Sequence, residues 1–312
     1  MAGIELSDRN VRFAILAFVA ALALVVVGML SYRLYDNSIG QPRSTILTVA
    51  GRSVSLRYYT DRLFKYAQDN QSSGQSLPLL EQSLLSKLEA EELIVLLASK
   101  NGLAISEEDI TNQIAAELGV PVAGSGSSFD TLYRARLKTV KMSDENYRRL
   151  TKATIANNRL LDLYEKEVGT TAETVSVRAV VSNNKAAAEA TLARIKAGED
   201  MGTVAQKEST DLNSRQKDGI MDPLPVALLP EPISKALAAV KDGEIAGPVD
   251  ANGTFWVLKV ESRDPQGTLS TTNITQLAQI KLDNATKDLK NTTTVKRSLD
   301  FSDIKWAEKH IQ

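Results

Sequence analysis

The apolar and polar positions of the chain fall into four patterns. The first is residues 13–30, FAILAFVAALALVVVGML, which hold 18 positions without a charge or a strongly polar side chain. As a helix they span roughly 27 Å, close to the hydrocarbon thickness of a bilayer. Arg9 and Arg12 precede the run and Arg33 follows it, so the charge rule for orientation is weak here. The run is longer than a signal-peptide core, and no small-x-small site follows cleanly at Gly28-Met29-Leu30-Ser31. The expectation is an uncleaved transmembrane anchor, 13–31, behind a short tail, 1–12. A single anchor before a long domain most often exports that domain, which places residues 34–312 outside the cytoplasm.

The second pattern is helical. After a linker, Tyr35 to Ser44, residues Ile46 to Val54 read as a small strand pair turning at Ala50-Gly51. Ser55 caps the helix that follows, and Gln68 to Gln75 is a polar loop. Leu77, Leu80, Leu84 and Leu88 recur at steps of three and four, which predicts a helix over about 78–100 ending at Asn101-Gly102. Ser106-Glu107-Glu108-Asp109 is a capping pattern for a helix carrying Ile110, Ile114 and Leu118. The GSGSS at 124–128 lacks the Lys-Ser/Thr of a phosphate loop and reads as a connector. Helices resume near Ser128 and after Ser143, the latter running through Tyr147, Leu150 and Leu160 to about Val168.

Near residue 172 the pattern changes. Thr174 to Ser182 is β-branched and strand-like, Lys185 to Ala197 is an alanine-rich helix, and Met201 to Lys207 is a shorter one. Asp211 to Leu229 reads as a long loop and Pro232 to Val240 as a helix. Residues 243–260, GEIAGPVDANGTFWVLKV, supply two strands around a turn at Asp250-Ala251-Asn252-Gly253. The order β-α-α-loop-α-β-β over about 90 residues predicts an α+β unit. A helical tail, 265–312, closes the chain.

Composition narrows the chemistry. Lys+Arg total 37 and Asp+Glu 38, so there is no electrostatic footprint for nucleic acid. No cysteine is present, which excludes disulfides, thiolate metal sites and cysteine nucleophiles. The single histidine, His310, sits at the tail and reads as a solvated side chain, so a Ser-His-Asp arrangement, a zinc peptidase motif and a non-haem iron motif are all disfavoured. No cofactor and no metal are expected.

Residues 172–264 resemble the parvulin family of peptidyl-prolyl isomerases. The resemblance is carried by Val177-Arg178, Gly198-Glu199-Asp200-Met201, Ser209-Thr210-Asp211, Gly219, Ala236-Leu237, Gly243-Glu244-Ile245 and Lys259-Val260, in that order and spacing. With the helical flank 46–168 and the tail 265–312, the whole looks like the SurA/PrsA/PpiD group of extracytoplasmic folding factors. That resemblance implies an α+β protein with a helical SurA-N-like chaperone domain, 46–168. An inserted parvulin-like domain, 172–264, would interrupt it, and the tail would pack back on the helices through Leu277, Leu282, Leu289, Phe301, Ile304 and Trp306. It implies unfolded or newly exported polypeptides as partners, a single-pass location in the cell membrane, and leaves a homodimer open.

The departures bear on activity. Where the family carries histidines in its first and last strands, this chain has Ala179 and Trp256. The proline pocket maps to Leu229 and Ile233, with Trp256 either a plug or the wall of a groove. Asp211 stands where the family has Cys or Asp, and with Ser214 it is the remaining catalytic candidate; both also read as ordinary turn residues. Rotation about the imide has a barrier of ~18–20 kcal/mol, lowered by an apolar pocket that favours the twisted amide. Three functions follow: a tethered chaperone with weakened or lost isomerase activity, an active isomerase, and a scaffold subunit of a membrane complex.

Overall fold

The computed structural model describes residues 22–32, 35–70, 76–122 and 128–311, and the chain folds as two units, Met1–Asn157 with Thr286–Gln312, and Asn158–Ala285. Residues 13–21 of the expected anchor lie outside the described residues, as do 71–75 of the polar loop and 124–127 of the connector. Residues 22–32 are helical and leave Leu24, Val25, Met29 and Leu30 exposed. Among the described residues no helix is long and apolar enough to cross a membrane.

The first unit opens on antiparallel strands β1 (Thr45–Val49) and β2 (Arg52–Ser55), joined at Ala50-Gly51, where φ is +49° and +79°. Ser55 caps α1 (Leu56–Asp69), its hydroxyl accepting the Tyr58 N–H at 3.2 Å. In α2 (Leu77–Lys100) Leu80, Leu84 and Leu88 are buried on one face, as their spacing requires. Then α3 (Glu107–Leu118) begins at a Ser106–Asp109 capping box and ends on Gly119 in the left-handed conformation. Phe129 and Tyr133 of α4 (Ser128–Thr139) and Tyr147 of α5 (Asp144–Val168) close an aromatic core over Ile110 and Ile114.

The second unit runs β3 (Thr171–Ser182), α6 (Lys185–Lys196), α7 (Met201–Glu208), α8 (Leu212–Arg215), β4 (Ile220–Pro225), α9 (Glu231–Ala238), β5 (Ile245–Ala251), β6 (Thr254–Thr268) and the start of α10 (Thr271–Thr292). Its sheet has the order β4-β3-β6-β5, with every neighbouring pair antiparallel. Alternation along β3 sends Val175, Val177, Ala179 and Val181 to the face covered by Ile233 and Leu237 of α9. Val180 and Val257 face the other way, onto Ala188, Met201 and Val204 of α6 and α7.

Two expectations are corrected. The stretch from Asp211 to Leu229 is not all loop, since it holds α8 and β4. Pro223 and Pro225 hide the strand pattern, and they are tolerated because β4 is an edge strand. The tail is not all helix either. β7 (Val295–Arg297) pairs antiparallel with β1, giving a sheet of order β2-β1-β7, before α11 (Phe301–His310). Three residues are too few for a period to be read. Within the first unit Glu89 of α2 binds this tail, with Lys290 at 2.6 Å and Arg297 at 2.7 Å. Of the tail residues expected on the helical domain, Leu289, Ile304 and Trp306 fall in the first unit, and Leu277 and Leu282 in the second. Phe301 is 72% exposed, because the Asp300–Asp303 capping box turns Asp303, Trp306 and Ala307 inward instead.

Candidate functional site

The α9-covered face of the second unit's sheet holds four of the singled-out positions. Ala179 is fully buried, and its N–H donates to the Gly219 carbonyl at 2.8 Å. Gly219 has φ of +80°, and a Cβ there would stand 2.7 Å from both the Ala179 carbonyl oxygen and the Ala205 Cβ. Position 219 thus needs glycine, for its positive φ and for the close approach of the Ala179 backbone. Trp256 pairs with Val181 of β3 and Val249 of β5. It is half-buried and packs against the same cluster as Ile233, Leu229, Met221 and Ala179. Its indole Nε1 donates to Thr254 Oγ1 at 2.8 Å, so its polar edge is satisfied by its own strand. This face offers apolar contact to a ring, and neither Ala179 nor Trp256 can carry a proton.

Asp211 and Ser214 are brought together elsewhere on β3's flank. Asp211 is the N-cap of α8: its Oδ2 accepts the Ser214 N–H at 3.0 Å and the Ser214 hydroxyl as well. Ser214 is buried, and its carbonyl accepts the N–H groups of Lys217 and Gly219, each at 2.8 Å. Just before them, the Thr210 N–H donates to the Val181 carbonyl at 2.8 Å, and the Val181 N–H donates to Ser209 Oγ at 3.2 Å. The turn is therefore laced to β3 at Val181 and, through Gly219, at Ala179. The geometry of the Asp211–Ser214 pair is that of a helix cap, and it also fixes a hydroxyl against a carboxylate.

A feature the sequence analysis missed lies in the first unit. A groove of about 710 Å³ opens among α1, α2, α4, α5 and the end of α3. Ile94, Val140, Leu150 and Ala153 give it apolar surface. Arg62 is buried in its wall and grips Glu91 at 2.6 and 2.8 Å. Burial works against the Arg62 charge, but the Glu91 hydrogen bonds outweigh it and the guanidinium is held charged. The Tyr147 hydroxyl donates to Glu117 at 3.1 Å, and burial, then the Glu117 charge, push that phenol up to about 12. A local signal existed: Arg62, Lys65, Tyr66 and Asp69 recur at helical steps, as do Lys87, Ala90, Glu91 and Ile94. What no sequence pattern gives is that the two stripes share one groove.

Comparison with known proteins agrees with this division. A model of the SurA-like N-terminal domain matches residues 5–161, and one of the PPIC-type PPIase domain matches residues 155–275. The chaperone SurA of Yersinia pestis is 25% identical over 271 residues, covering 74% of this chain and 59% of the relative. The foldase protein PrsA of Caldanaerobacter subterraneus is 21% identical over 186 residues, covering 59% of this chain and 58% of the relative. This chain thus spans about three fifths of the length of the curated relatives it matches. Among solved structures, PrsA from Bacillus cereus is 17% identical, covers 87% of this chain and 99% of its own, and has a TM-score of 0.44. With half of its length matched by the first of these models, the chain belongs to the SurA-like N-terminal domain family, and the adjoining segment matches the PPIC-type PPIase domain, an order of domains like that of the SurA and PrsA folding factors it resembles.

Proposed function

We propose that this protein is a membrane-tethered extracytoplasmic folding factor that holds non-native polypeptide, and that its parvulin-like domain, 172–264, has weak or lost isomerase activity. The observation that carries this reading is a contrast. The helical domain, 46–168, has an open groove lined by both apolar and charged side chains, whereas the sheet face at Ala179 and Trp256 is packed and has no proton carrier at those two positions. Unfolded chains present apolar side chains and a polar backbone together, and a mixed groove serves both. The tether is supported by the uncharged run 13–30 and by the apolar side chains that residues 22–32 leave bare.

An active isomerase is a second reading, with Leu229, Ile233 and Trp256 as proline-binding residues and Asp211 and Ser214 as catalytic ones. It is favoured by one observation: Trp256 and Leu229 are only half-buried on an otherwise apolar face. The two are separated by measuring prolyl cis/trans exchange on a series of proline tetrapeptides alongside suppression of client aggregation. Suppression without catalysis supports the holding function. Catalysis above background that is lost in Asp211→Ala supports the isomerase. Absence of both brings forward the third reading, a scaffold subunit of a membrane complex. The mass of the same preparation distinguishes monomer from homodimer.

A further inference from the structure

We propose that the groove of the first unit selects segments of non-native polypeptide that carry an acidic side chain beside apolar ones. This deepens the holding function proposed above and rests on it. Four cations line the groove, Arg62, Lys65, Lys87 and Arg136, against three carboxylates, Asp69, Glu91 and Glu117. Glu91 is held by Arg62, and Asp69 by Lys65 at 2.7 Å. Glu117 already accepts the Tyr147 hydroxyl and the Gln113 amide, each at 3.1 Å. Among the described residues Lys87 and Arg136 are left without an ion-pair partner against one carboxylate, Glu117, that has no cation on it, a net surplus of one positive charge. Lys87 lies 5.3 Å from the centre of the Tyr66 ring, and neither it nor Arg136 forms an ion pair among the described residues. The contact of Lys87 with the ring leaves its ammonium free to donate to a carboxylate.

The surplus is local, since the chain as a whole has a net charge of −1. Both cations are exposed, on α2 and α4, so they cost nothing to hold until a ligand covers them. The half-buried Ile94 and Leu150, with the buried Val140, supply the apolar surface that a neighbouring side chain of the same segment would cover. The occupant this chemistry fits is an extended peptide with Asp or Glu next to leucine-like or aromatic residues. A basic segment would meet the two exposed cations and bind less well than an acidic one.

The test uses the full chain and three fluorescent peptides of one apolar sequence, differing only in a central Asp, Asn or Lys. Binding is read by anisotropy. The expected order is Asp over Asn over Lys, with steps of about fivefold per ion pair, flattened at high salt. Lys87→Glu combined with Arg136→Glu should reverse the order. Both sites are exposed, so the variant keeps its core. Equal binding of all three peptides, or no reversal in the variant, overturns the proposal and leaves the holding function standing. If no peptide binds while client aggregation is still suppressed, the groove is not the holding surface and the proposal fails alone. Loss of both binding and suppression overturns the proposal together with the function it rests on.

Discussion

The two units bury polar groups of different kinds. In the first, Asp61, Arg62, Glu81, Glu89, Glu92 and Asp303 are all buried. In the second, the buried polar residues are Thr174, Thr191, Ser209 and Ser214, all neutral. Ion pairs tie distant segments of the first unit together, Arg62 with Glu91 and Glu89 with Arg297, whereas Glu81 and Asp303 have no such partner among the described residues and burial raises their pKa values instead. The second is organised by sheet register and apolar alternation. The lesson is about function as much as stability. The second unit packs apolar side chains around Ala179 and Trp256. The half that resembles a holding domain keeps charge near an open groove. The two tryptophans, Trp306 in the first unit and Trp256 in the second, allow each to be followed separately by fluorescence.

The largest effect is expected from Arg62→Ala. It strands Glu91 and removes the donor to the Tyr58 hydroxyl at 3.0 Å, which costs about 3–5 kcal/mol for a broken buried pair. The cost should appear in urea unfolding followed at Trp306 in a Trp256→Phe background. Replacing both partners, Arg62→Met with Glu91→Leu, should recover most of it, because an apolar pair has no charge to desolvate. Failure of the double variant to recover would mean that the pair fixes geometry beyond its own energetics.

The counterpart in the second unit is Trp256→Ala, which removes half-buried packing from the sheet face. A loss of about 2–3 kcal/mol is expected, below that of a fully buried tryptophan. Thermal unfolding by far-ultraviolet circular dichroism reads it. A loss under about 1 kcal/mol would make Trp256 a groove wall and not a plug.

What the sequence made legible was local. The Ser55 cap, the Ser106–Asp109 box and the turn at Ala50-Gly51 involve residues within four positions of one another, and each is where its pattern puts it. Most of the α+β order of the second unit was readable for the same reason, from the β-branched run at 174–182, the alanine-rich helix after it and the two strands around the turn at 250–253. β4 was not, because its prolines look like loop residues until a neighbouring strand makes it an edge. β7 depends wholly on β1, about 250 residues away in sequence, for its existence. Of the candidate site, Asp211 and Ser214 were singled out together, but that the first caps the helix carrying the second needed the α8 turn to be seen. The groove was the least legible part, since it draws on five helices.

A smaller effect with a definite pH sign comes from Glu89. Burial alone would raise its pKa, but the Lys290 and Arg297 hydrogen bonds outweigh that and hold it below its ordinary value of 4.5. The unfolded chain therefore takes up this proton before the folded one does. The stabilisation is present above about pH 4.5 and is lost as pH falls through the lower, folded value. Glu89→Gln should cost about 1–2 kcal/mol at pH 7 and remove that part of the acid sensitivity. Asp61, Glu81 and Asp303 are shifted upward, chiefly by burial, and so favour folding on acidification. Subtracting the variant's pH profile from that of the parent cancels them. Hydrogen exchange at β7 should show the tail loosening first, and equal exchange in parent and variant at pH 4 and 7 would refute a role for Glu89 in holding the tail.

The smallest effect decides the most about function. Asp211→Ala removes the N-cap of α8 and leaves the buried Ser214 hydroxyl without its acceptor, at a cost of about 1 kcal/mol. Trp256 fluorescence in a Trp306→Phe background reads that cost. If Asp211 is only a cap, prolyl exchange stays at background in parent and variant alike, and Asp211→Asn, which also caps well, recovers the stability. A catalytic Asp211 gives a different pattern. Exchange in the parent would exceed background, and the asparagine variant would regain stability without regaining rate. The same substitution that costs least in folding thus separates a retired isomerase face from a working one.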